Sequence, residues 1–161
     1  MTTTVDAGLE AGKIEAFRSL FHYGNKSMIK NLAATPDDKL NWKPSASAKS
    51  VLQIAAHVAA TNDFFIKSFQ GSPPETEFPA IFKWIDGHAE GWTTREVVTA
   101  ELNRSSQELD DFFGKVTPDC FEGGNPPIAL WVSAFHAIGH SAQIDYLQTC
   151  WGDMAYHMVE G

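Results

Sequence analysis

At 161 residues, with 43% apolar and 20% charged side chains, the chain has the size and composition of one globular domain spanning residues 1–161, which excludes a disordered or fibrous polymer. Twenty acidic against twelve basic side chains leave a formal net charge of -8, a balance that repels nucleic acid and anionic membrane surfaces alike. No stretch approaches the roughly 20 apolar residues of a membrane span, and Met1–Asp6 has no basic region with an apolar run behind it, so a cytoplasmic protein without nucleic-acid or membrane partners is expected.

From Ile14 onward apolar residues recur in steps of three and four (Ile14, Phe17, Phe21 and Met28, with Gly24 between them), which predicts an amphipathic helix ending before Pro36. A turn-rich stretch around Pro36 and Pro44 leads to Ser47, read as the N-cap of a second helix that runs to about Gly71. Its stripe, Ile54, His57, Thr61 and Phe64, sets one histidine among residues suited to burial. Residues 71–92 hold Pro73, Pro74, Pro79, Gly87 and Gly91 and read as a long crossover with at most a short helical turn around Phe78 to Ile85. Thr93-Thr94-Arg95-Glu96 has the form of a capping box, and Val98, Leu102, Ser105, Leu109, Phe112 and Val116 follow as the seam of a third helix stopped by Thr117-Pro118. Gly123 to Pro127 forms a turn whose prolines suit a fourth helix start, and that helix ends near Gly152. The fold class expected is all-α, four long helices with a long crossover between helices 2 and 3.

His136 and His140 in the fourth helix are four residues apart, so both imidazoles project from one face, one turn apart. Their stripe continues through Val132, Gly139, Gln143 and Leu147 and is expected to face inward. Gly139 lowers helix propensity, which a close backbone approach at the site would explain. Neutral imidazole suits zinc, nickel, copper and iron, and His57 on the second helix is the natural third ligand. Three protein ligands leave coordination positions open, as catalytic sites require. Spacing alone is equally compatible with core histidines whose nitrogens are satisfied by neighbours. Position 137 is Ala, so the His-Glu-x-x-His motif of zinc proteases is absent.

The order of motifs is Trp42-x-Pro44, Ser50-Val51-x-x-Ile54-x-x-His57 and His136-x-x-x-His140-x-x-Gln143-Ile144-x-Tyr146-Leu147. From about residue 13 to 151 this resembles the DinB-like, or YfiT-like, family of metalloenzymes. The resemblance implies an up-down-down-up four-helix bundle, a homodimer, and a nickel or zinc ion held by His57, His136 and His140. It further implies activation of a low-molecular-weight thiol such as bacillithiol or mycothiol, or of water, against a small-molecule electrophile. A non-catalytic metal or small-ligand binding module of stress response is the alternative, and a structural role for the histidines is a third reading.

Around that site, Gln143 is read as lining the cavity or steadying a bound group, against a helix-interface amide. Asn62 is read as a second cofactor-binding candidate one turn beyond His57, while Asp63 is expected on a solvated face. His22, His88 and His157 are expected at the surface or in caps, and Trp42 and Trp84 as aromatics that close the core. Cys120 and Cys150 lack CxxC spacing and read as reduced structural thiols, with Cys150 packed in the core.

Overall fold

The computed structural model describes residues 7–121 and 128–159. These form α1 (Ala7–Ala34), α2 (Val51–Phe69), α3 (Phe78–His88), α4 (Arg95–Phe113) and α5 (Ile128–Cys150), with 3-10 turns at Asp37–Lys39 and Pro118–Phe121. There is no strand among the described residues, and no helix in them is long and apolar enough to cross a membrane. The expected turn at Gly123 to Pro127 and its helix-starting prolines lie outside the described residues.

The local causes of these helices differ from expectation in three places. Ser50, not Ser47, caps α2: its hydroxyl accepts from the Gln53 amide at 3.3 Å while Gln53 Oε1 accepts from the Ser50 amide at 3.1 Å. This reciprocal pair satisfies two donors that a helix start otherwise leaves orphaned. In α4 the cap is Thr94, whose hydroxyl accepts from Val97 N. Starting one residue later puts Val97 rather than Glu96 opposite the cap, so the expected box cannot close. At its far end α4 stops at Phe113, before Thr117-Pro118. Val116 therefore lies beyond the helix, though it still packs beside Leu109 and Phe113.

The third difference is α3, eleven residues of helix where a connection with one turn was expected. Pro79 sits at the start of α3, where its missing N–H costs nothing and its fixed φ favours the helix. The helix then lays Ile85 into a small cluster with Ala60 and Phe64 of α2, with Ile81 and Trp84 packed at its margin. α3 thus covers one side of α2.

Helix α1 packs on α5 and α4, and α2 packs on α4 and α5. The larger core joins Met28, Leu32, Val51, Ile54, Val58, Leu102 and Ile144, and a second gathers Phe21, Leu109, Phe113 and Leu130. Small residues set the separation of α1 and α5. A Cβ on Gly24 would lie 2.9 Å from Ile138 N and 3.0 Å from Ala137 Cβ, closer than backbone and packed side chain tolerate. Gly24→Ala is therefore expected to lower stability by about 1–3 kcal/mol in denaturant unfolding, overpacking outweighing the gain in helix propensity. Unchanged or higher stability would show that the helices can separate freely. Gly139, by contrast, has open space where its Cβ would be, so the close approach expected there is absent.

Candidate metal centre

The centre is built from two helices. α2 supplies His57, and α5 supplies His136 and His140 from adjacent turns of one face. The rings meet: centroids are 5.2 Å apart for His57 and His136, 5.0 Å for His57 and His140, and 4.4 Å for His136 and His140. One ligand nitrogen from each lies within 4.8 Å of the others, so the three histidines could hold a metal ion. Among the described residues they are the group of that composition that converges in this way.

Protonation favours the same use. His140 Nδ1 lies 2.7 Å from Gln143 Oε1, and an amide carbonyl oxygen only accepts, so the ring carries its proton on Nδ1. Nε2 of His140 is then a lone pair, and it faces Nε2 of His136 at 3.1 Å. Burial pushes His136 down to about 3 and His57 down to about 4, helped in both by the neighbouring ring of His140. Burial lowers His140 as well. All three are neutral at pH 7, the form in which imidazole binds a metal. His57 is deeply set as well: its side chain is only 11% exposed, and its Nδ1 is buried without a hydrogen-bond partner. Buried polar atoms in native proteins are rarely left so.

Two cavities reach the cluster. One, about 840 Å³, is lined by His57, Lys49, Lys83, Asp86, Glu90 and Trp92. The other, about 600 Å³, is lined by His140, Gln143, Ile54, Tyr146 and Leu147, again with Lys49. His57 thus borders a charged chamber and His140 an apolar groove, with Lys49 bordering both.

A family model described as the DinB superfamily matches residues 21–144, a span that includes all three histidines and Gln143. The chain belongs to the DinB superfamily. No curated protein and no solved structure matches it.

The other residues of this DinB-superfamily chain fall into place around that centre or away from it. Gln143 touches the cluster through His140. Asn62 does not reach it, and its amide is directed to Asn25 and Ser105 in the interior. Asp63, expected in solvent, is buried: Arg104 donates two hydrogen bonds to its carboxylate at 2.8 and 2.7 Å, and His88 Nε2 lies 2.9 Å away. A charge enters the interior only with such partners. Cys150, expected in the core, is exposed at the end of α5, and the side chain of Cys120 lies outside the described ones. His22 meets Asp110 and His157 meets Asp153, both far in sequence from the ligands. Trp42 packs edge-on against Trp151, and Trp84 stacks on His88 and tilts on Phe64. The sequence does not single out Lys49 or Asp86; Lys49 lies just before α2, and only the placement of α3 over α2 brings Asp86 beside His57.

Proposed function

We propose that this chain is a metal-dependent enzyme of the YfiT-like branch, with His57, His136 and His140 holding one divalent nickel or zinc ion. The observation that carries the reading is the convergence of three neutral imidazoles beside two open cavities. When bound, the ion supplies Lewis acidity that favours the deprotonated form of a low-molecular-weight thiol, or of water, at neutral pH. The small-molecule electrophile under attack is then positioned by the chain itself. Gln143 fixes the tautomer of His140. Lys49 offers a cation to an anionic group entering from either cavity, and Ile54, Leu147 and Tyr146 accept an apolar portion.

To the same reading belong an up-down-down-up four-helix bundle of α1, α2, α4 and α5, a homodimer, and a cytoplasmic location without nucleic-acid or membrane partners. A non-catalytic metal or small-ligand binding module of stress response is the second reading, favoured by a ligand set that is wholly imidazole.

Elemental analysis of the purified protein is expected to find about one nickel or zinc per chain, as a single three-ligand site requires. Metal-loaded protein is then screened with several thiols and electrophiles for turnover that a chelator abolishes. Protein that takes up no divalent metal would overturn the whole reading, and stoichiometric metal with no turnover across the panel would favour the binding module.

A further inference from the structure

Asp86 lies on α3, one residue past the buried Ile85 that seats this helix on α2. Its carboxylate looks onto His57 from the charged chamber, with Oδ1 3.7 Å from His57 Nδ1. That nitrogen is the buried one without a hydrogen-bond partner. The same Asp86 oxygen accepts from Lys49 Nζ at 2.7 Å. The adjacent ligand shows the closed form of this arrangement, His140 Nδ1 donating to Gln143 Oε1 at 2.7 Å. Two of the three rings thus face an oxygen acceptor at Nδ1, one in contact and the other about one ångström short of it.

We propose that Asp86 is a positioning residue for the metal centre: it accepts the Nδ1 proton of His57 and so fixes the tautomer whose Nε2 lone pair is free for the ion. The inference rests on the metal reading given above. A ring that donates at Nδ1 keeps its lone pair on Nε2, and a carboxylate acceptor both orients the imidazole and raises its basicity toward a metal. Such partners of a ligating histidine are worth about 10–100-fold in metal affinity. Lys49 has the opposite electrostatic sign, since its charge stands beside the place a cation would occupy. The Asp86 side chain is 56% exposed, so replacing it removes little packing and leaves the fold intact.

The test combines zinc titration against a competing chelator with ¹⁵N NMR of the histidine rings in unloaded protein, for Asp86→Ala, Asp86→Glu and Lys49→Met. Asp86→Ala, which removes the acceptor outright, is expected to lose about 10–100-fold in zinc affinity and to move His57 from the Nδ1–H toward the Nε2–H tautomer. Asp86→Glu restores both readouts toward wild type. Lys49→Met breaks the same ion pair yet keeps the tautomer, and its affinity is unchanged or higher. An unaltered tautomer in Asp86→Ala would overturn the contact, and equal affinity losses in Lys49→Met and Asp86→Ala would assign the effect to the pinning of α3 instead. If wild type takes up no zinc, the metal reading fails separately, and the ring spectrum of the unloaded protein still decides whether Asp86 holds His57.

Discussion

Single replacement of His57, His136 or His140 by alanine is expected to lower zinc or nickel affinity by on the order of a hundred- to a thousandfold in each variant. Four-ligand zinc sites bind with about 10–16 kcal/mol, so one ligand accounts for roughly 2.5–4 kcal/mol, and each 1.4 kcal/mol is about a decade of affinity. The three losses should be similar, because the rings stand at similar distances around one point. Gln143→Ala, which removes only the acceptor of His140, should lose less, about tenfold or somewhat more. Chelator competition with elemental analysis after dialysis measures all four. Full retention of metal by any alanine variant of the three ligands would remove that ring from the site. The variants should remain folded, since each substitution takes a polar ring out of surroundings that offer it few partners.

How much of this was legible beforehand follows from which interactions are local. The i, i+4 spacing of His136 and His140 states their common face outright, and the stripe containing Ile54, His57 and Phe64 states that His57 turns inward. Periodicity likewise marks α1, α2, α4 and α5. It does not mark α3, because three prolines and three glycines across residues 71–92 read as breakers, whereas Pro79 in fact begins the helix. Losing α3 meant losing Asp86, whose meaning depends on that helix lying across α2. The burial of Asp63 escapes the sequence for a related reason. Its partners Arg104 and His88 come from α4 and α3, and no local pattern shows that both reach it. The two glycines make the same point: Gly24 and Gly139 are alike as letters, but only Gly24 faces a neighbouring helix at contact distance.

The neutral, buried state of the histidines also predicts an acid sensitivity of the unloaded protein. In the unfolded chain a histidine titrates near 6.5, while burial holds His57 near 4 and His136 near 3 in the fold. Between these values the unfolded state binds protons that the folded state refuses, so stability rises with pH and falls as pH drops below about 6.5. At pH 5 the loss is roughly 2 kcal/mol for each of the two rings, taken as an upper value. It levels off only below the folded values. Asp110, held below the ordinary carboxylate range by Arg18 and then His22, has the usual acidic sign: its contribution persists above the unfolded carboxylate value near 3.9 and is lost at still lower pH, outside the window of interest. Denaturant unfolding at pH 7 and pH 5 should therefore show a marked loss for the unloaded wild type. In a His57→Ala, His136→Ala double variant most of that loss should vanish, even though its stability at pH 7 need not differ much. Saturating zinc adds a stabilisation that itself weakens toward pH 5, because protons compete for the same nitrogens. An unloaded wild type as stable at pH 5 as at pH 7 would mean that these rings are solvated and protonated in the fold, a state in which they could not gather around a cation.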